Sequence, residues 1–188
     1  MCCNSSRLLE SFYHDGQLNE RLNNRSSALP PDGTAVLGGT FDILHRGHTS
    51  LLRFATQLSK RLIIGITSDT FAQKLRAREV RPLPDRLSTL KSFCGGLNTL
   101  CQIKFVVIDD ELGPLRDDPT IEAVFLSTDL YLKASKIESE RAKRGLPPVM
   151  VYYMSPVLAE DGLPISSTRI ARGEIDKNGR LIGGGLGA

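Results

Sequence analysis

"TAVLGGTFDILHRGH", residues 34–48, carries an apolar run into two glycines, a hydroxyl, a carboxylate and two histidines. Thr34–Gly39 reads as a short buried strand entering a tight turn. Glycines at 38 and 39 let the backbone come close to a ligand. The next stretch, Thr49–Lys60, places Leu51, Leu52, Ala55 and Leu58 on one helical face, so a helix begins near Gly47 or His48. A helix N-terminus facing back over a glycine turn is an anion site, because its first amides lack partners. His45 and His48 stand at that mouth, each able to donate a hydrogen bond to a phosphate oxygen. A metal reading needs a third ligand. The remaining histidine, His14, lies in the N-terminal extension, and Asp42 has no helical HExxH-type spacing to support it. The pair therefore points to phosphate, and no metal ligand is assigned.

Outward from this stretch the chain alternates. Arg61–Thr67, Cys101–Ile108, Ala123–Ser127 and Val149–Met154 read as further strands. Between them, Asp69 is placed to cap a helix through about Ala77. "DRLSTLKSFCGGL" opens a second with Asp85 as its cap, and Leu130–Arg144 is a charged helix closed by Gly145 and two prolines. A last helix starts within "ISSTRIARGE". Alternating elements with near-continuous apolar strands imply an α/β fold, a doubly wound parallel five-stranded sheet covered on both faces. Such sheets bind ligands at the carboxyl ends of their strands, where the strand order reverses.

Residues 1–32 read as an N-terminal extension and linker, ending in "SSALPPDG", and residues 33–188 as the domain. The 188 residues suit one full-sized domain, and a net charge of +3 suits anionic small molecules rather than nucleic acid. No apolar stretch approaches the roughly 18 residues of a membrane span, and the N-terminus lacks a signal peptide's basic start and apolar core. Four cysteines without CxxC or zinc spacing fit free thiols in a reducing cytoplasm.

"ISSTRI", Ile165–Ile170, is a second anion cradle: Ser166, Ser167, Thr168 and Arg169 at a helix start. One hydroxyl suffices for an N-cap, and the triple with an arginine exceeds that need. "KASKIESERAKR" reads as a solvated helix with Glu140 paired to Arg144. The acidic stretch Asp109–Glu111 with Asp117 and Asp118 reads as a turn-rich surface loop.

"GTFD" followed by "LHRGH" resembles the HxGH motif of the nucleotidyltransferase superfamily, which implies a Rossmann-like sheet. From about Thr34 to Leu181 the chain resembles the phosphopantetheine adenylyltransferases of the archaeal and eukaryotic type. The residues that carry this are "VLGGTFDILHRGH", "LIIGITSDTFAQK", "VFLST", "AEDGLPISSTRI" and "RGEID". The resemblance implies adenylyl transfer from ATP to 4′-phosphopantetheine in coenzyme A biosynthesis, with Mg²⁺ arriving on ATP and its protein ligand unassigned.

It also implies roles. Gly39 and Phe41 offer backbone amides to the nucleotide, with Gly47 and Ser127 beside it. Thr40 contacts the attacking phosphate. His48, with His45, donates to the phosphates in the transition state. Ser166, Ser167, Thr168 and Arg169 hold the β- and γ-phosphates. Lys74 and Arg86 serve the acceptor phosphate, whereas Arg76 and Arg78 read as solvated loop. The chain departs from the family pattern at Asp129 and Leu130, and at Glu138 ahead of Arg141. FAD synthetases and cytidylyltransferases share the first motif, but the tail "LPISSTRI" differs from the "RTEGISTT" usual in the latter. A non-catalytic nucleotide-binding protein is the other class to weigh, and intact His45, His48, Lys74 and Arg169 argue against it.

Overall fold

In the computed structural model, which describes residues 33–182, five strands form one sheet. They are β1 (Thr34–Gly39), β2 (Arg61–Thr67), β3 (Gln102–Ile108), β4 (Ile121–Ser127) and β5 (Met150–Met154). Their spatial order is β3-β2-β1-β4-β5, and every adjacent pair is parallel. The order reverses between β1 and β4, so the switch point lies just beyond Gly39 and Ser127. The extension predicted for residues 1–32 lies outside the described residues.

Among the described residues five helices accompany the strands: α1 (Arg46–Leu58), α2 (Asp69–Leu75), α3 (Leu83–Gly95), α4 (Tyr131–Lys143) and α5 (Ser167–Ala171). The period-two side-chain alternation of each strand feeds two separate cores. On one face Ala35, Leu37, Leu62, Ile64, Ala123 and Phe125 pack against Leu52 and Ala55 of α1 and Leu90 and Cys94 of α3. On the other, Val36, Ile63, Val124 and Leu126 meet Leu115 and α4 through Ile137. Both faces are covered, as near-continuous apolar strands require. Among the described residues no helix is long and apolar enough to cross a membrane.

Several boundaries differ from the sequence expectation. β4 starts at Ile121, because Glu122 points outward between buried Ile121 and Ala123. Ser68, not Asp69, caps α2: its hydroxyl accepts the Phe71 amide at 3.2 Å. The helix stops at Leu75, where Arg76 turns extended. Asp85 does not cap α3 but lies in its first turn behind Pro82 and Pro84, whose fixed φ starts the helix without a side-chain cap.

α4 has the predicted outer pair, Arg144 on Glu140 at 2.8 Å, and Glu138 is exposed. Its inner face departs from the solvated reading. Arg141 is 1% exposed, and its guanidinium donates to the carbonyls of Pro147 and Leu115 (2.8 Å each), Asp118 (3.1 Å) and Ile121 (3.4 Å). One arginine thus serves four carbonyl acceptors, two of them in buried bonds, and fastens α4 to the approach of β4. Asp110 holds the turn after β3 by accepting the amides of Leu112 and Gly113, and pairs with Arg116, as a structured surface loop would.

Candidate active site at the carboxyl end of the sheet

The loop joining β1 to α1 is built around aromatic contacts. Phe41 takes a left-handed backbone, φ 50°, which costs a non-glycine residue on the order of 1 kcal/mol or more. Its ring is buried over Gly39, where a Cβ would stand 3.0 Å from the ring edge. The Phe41 ring also tilts against His48, centroids 5.2 Å apart, and His48 stacks on His45 at 3.8 Å. Gly47 eases that stack: a Cβ there would sit 3.0 Å from His45 Cε1 and 3.1 Å from Nδ1. The glycine between the two histidines therefore leaves the His45 ring room that a larger residue would take by pushing it a few tenths of an ångström.

His45 occupies the N-cap position of α1 without making a cap bond, so its imidazole is directed elsewhere. Burial, and then the positive charge of Arg76, push its pKa down to about 4. Burial and the His45 neighbour push His48 down to about 3, against a contact with the Ile43 carbonyl that favours the proton. Both rings are neutral at pH 7, so each has a single N–H to give.

The tail reaches this loop from the far side of the sheet. Ser167 Oγ donates to the Ile43 carbonyl at 3.1 Å across 124 residues, bringing the two sequence motifs together. Ser166 is the cap of α5, accepting the Arg169 amide at 3.3 Å, and Thr168 is half-buried in the first turn. Ser127, half-buried, ends β4 across the switch point. Thr40 is 5% exposed, and its carbonyl accepts from Arg86.

Two expected phosphate ligands, Arg169 and Arg86, are engaged by protein groups. Arg169 pairs with Asp161 and with Glu174 (3.0 Å) and donates to the carbonyls of Leu163 and Pro164. It braces the loop before α5, because two carboxylates surround it. Arg86 is 0% exposed, donating to Arg81 O (2.7 Å), Thr40 O (2.8 Å), Thr67 Oγ1 (3.3 Å) and Asp69 Oδ1 (2.7 Å). It knots the loops after β1 and β2 together. Lys74 is exposed on the last turn of α2, two residues before the segment that does reach the loop.

In that segment, 76–81, Arg76 is exposed as the solvated reading expects, but Arg78 is half-buried against the β1–α1 loop. Asp42, 2% exposed, pairs with Arg78 at 2.6 Å and accepts from Arg81 N at 3.0 Å and Arg81 Nε at 3.4 Å. Burial alone would raise the Asp42 pKa, but the Arg81 amide and the Arg78 guanidinium outweigh it and hold it below the ordinary value. Asp42, Arg76, Arg78 and Arg81 are the residues that sequence reasoning missed. The signal that could have found them is a carboxylate at the loop centre facing the closely spaced arginines of "RAREVR".

Among the described residues, the buried side-chain polar atoms with neither a hydrogen-bond nor an ion-pair partner are His45 Nδ1, His48 Nδ1, Arg78 Nε and Arg78 Nη2. Each such atom costs about 1–3 kcal/mol when left unpaired. Their concentration around one loop marks a place built to receive a polar ligand. Among the described residues no group of three His, Cys, Asp or Glu side chains is arranged to hold a metal ion. The donor set is nitrogen-rich and matches phosphate oxygens.

A parallel sheet with a histidine pair and a hydroxyl-bearing helix start meeting at its switch point defines a nucleotide-handling α/β protein. Comparisons with known proteins agree. Residues 36–173 match the cytidylyltransferase-like family. The chain is 42% identical over 137 residues to the phosphopantetheine adenylyltransferase of Pyrobaculum aerophilum, covering 73% of this chain and 88% of that protein. It is 38% identical over 150 residues to that of Methanosarcina mazei, covering 78% and 95%. A crystal structure of a protein of unknown function from Archaeoglobus fulgidus superposes with a TM-score of 0.58 at 30% identity, over 64% of this chain and 88% of that one. The chain belongs to the cytidylyltransferase-like family, among its phosphopantetheine adenylyltransferases.

Proposed function

We propose that the protein transfers the adenylyl group of ATP to 4′-phosphopantetheine, giving dephospho-coenzyme A and pyrophosphate. One observation carries the chemistry: two stacked neutral imidazoles at the N-terminus of α1, whose buried Nδ1 atoms have no partner. The choice of acceptor is supported by the relatives in Pyrobaculum aerophilum and Methanosarcina mazei.

The nucleophile is an oxygen of the acceptor phosphate, anionic at neutral pH, so no side chain need remove a proton. A bond forms from that oxygen to the α-phosphorus of ATP, and the bond to the β-phosphate oxygen breaks, releasing pyrophosphate. Negative charge shifts onto the leaving group. The histidines serve by donating toward that charge from fixed positions, which is the usual form of catalysis in phosphoryl-type transfers. Neutral rings suit this role, since two imidazolium ions stacked 3.8 Å apart would repel.

Gly39 and Phe41 offer backbone amides to the nucleotide, with Gly47 and Ser127 lining it, and Thr40 lies nearest the attacking phosphate. Ser167 and Thr168 face the β- and γ-phosphates, and Lys74 approaches the acceptor. Mg²⁺ would be carried by the phosphates of ATP, whose charge it neutralises, because Asp42 is already committed to Arg78 and Arg81. The free thiols of Cys94 and Cys101 support a reducing, cytoplasmic setting. The test is product identity: mass spectrometry should find dephospho-coenzyme A with pyrophosphate, and unphosphorylated pantetheine should be inert. Turnover of pantetheine itself would refute the reading.

A further inference from the structure

We infer that Arg78 is a binding residue for the phosphate monoester of the acceptor substrate, held in place for that purpose by Asp42. The assignment rests on the adenylyl-transfer reading above and adds to it a residue that lies outside both sequence motifs.

Segment 76–81 is an exposed stretch stitched down along its length. Gln73 Nε2 donates to the carbonyls of Arg76 (3.4 Å) and Arg78 (3.3 Å). Arg86 ties the Arg81 carbonyl to the Thr40 carbonyl, and Asp42 takes both Arg78 and Arg81. A surface loop that only needed solvation would not use a buried carboxylate and a fully buried guanidinium to fix it against the β1–α1 loop.

What this fixing leaves unpaired is one edge of a guanidinium. Arg78 Nη1 donates to the Glu79 carbonyl at 2.9 Å and faces Asp42. Nε and Nη2, on the opposite edge, are buried and have no partner. These two atoms form the side-on fork with which arginine grips phosphate or carboxylate through two parallel bonds. His45 Nδ1 and His48 Nδ1 are likewise buried and unpartnered, on the loop to which Asp42 ties Arg78. Asp42 and Glu79 only partly offset Lys74, Arg76, Arg78 and Arg81, and the excess positive charge suits a dianion.

Position decides which phosphate. The segment follows β2, on one side of β1. The hydroxyl-bearing α5 follows β5, on the other side, and reaches the same loop through Ser167 and Ile43. With the triphosphate on the α5 side, the β2 side is left for the second substrate.

Steady-state kinetics of Arg78→Ala tests this, with thermal melting as the folding control. The KM for 4′-phosphopantetheine should rise tenfold or more, the KM for ATP should stay within twofold, and Arg78→Lys should recover part of the loss by restoring charge without the fork. An unchanged KM for the acceptor, or an equal rise in both KM values, overturns the assignment. If the wild-type chain shows no turnover of phosphopantetheine, the functional reading falls separately. Titration with inorganic phosphate then decides for Arg78 alone: weaker binding by Arg78→Gln than by wild type supports a phosphate site there, and equal binding overturns it.

Discussion

Gly47→Ala separates the geometry of the histidine pair from the stability of the fold. Gly47 lies in the first turn of α1 and is not among the positive-φ residues, so alanine fits the backbone. Alanine in place of a helical glycine gains about 0.5–1 kcal/mol. Against this, the new Cβ stands 3.0 Å from His45 Cε1, and the ring must yield by a few tenths of an ångström. An off-rotamer shift costs about 0.5–1.5 kcal/mol. The two contributions nearly cancel, so the melting temperature should move by no more than about 4 °C. Activity has no such offset. His45 holds His48 at 3.8 Å, and displacing one ring spoils the placement of both donors. Initial rates of pyrophosphate release should fall by about 10- to 100-fold. A variant that melts like wild type and turns over like wild type would refute the claim that the stacked pair positions the phosphates.

His48→Ala should lower kcat by about 10² or more, with a smaller effect on either KM, measured in the same assay. Acid should destabilise the fold through these rings. Each titrates near 6.5 when unfolded but only near 4 (His45) and 3 (His48) when folded, so the unfolded chain binds more protons below pH 6.5. Stability therefore falls as pH drops from 6.5 towards 4, by on the order of 3 kcal/mol for His45, and is independent of these groups above that window. Urea unfolding at pH 7.5 and 4.5 should show the loss, and the His45→Gln/His48→Gln double variant should show a smaller one. Arg141→Met strips four carbonyls of a donor, two of them in buried bonds, and should cost about 2–3 kcal/mol by chemical unfolding, whereas exposed Glu138→Gln should change stability by less than about 0.5 kcal/mol.

Local signals in the sequence are readable. β1 and β2 have the bounds their apolar runs imply, and the glycine turn with its histidine pair stands where β1 meets α1. What sequence could not supply was the fate of the arginines. A guanidinium reads as a solvated charge, yet its five donors let it vanish under carbonyls, as Arg86 and Arg141 do. Arg169 sits within the right motif, but its carboxylate partners Asp161 and Glu174 are close enough in sequence to have hinted at a bracing role. The Asp42 contact with Arg81 spans 39 residues, and nothing periodic in the chain announces it. The departures at Asp129 and Leu130 fall in the short turn Thr128–Leu130 that follows β4, and Glu138 faces solvent on α4.

Adenylyl transfer to phosphopantetheine is tested most directly by rates of pyrophosphate release from the purified chain with Mg²⁺-ATP and 4′-phosphopantetheine, beside parallel reactions with CTP replacing ATP and with FMN replacing phosphopantetheine. Release with ATP and phosphopantetheine, and little with CTP or FMN, is the predicted result. Release only with CTP, or with FMN as acceptor, would contradict it and transfer the same phosphate site to a different nucleotidyl reaction.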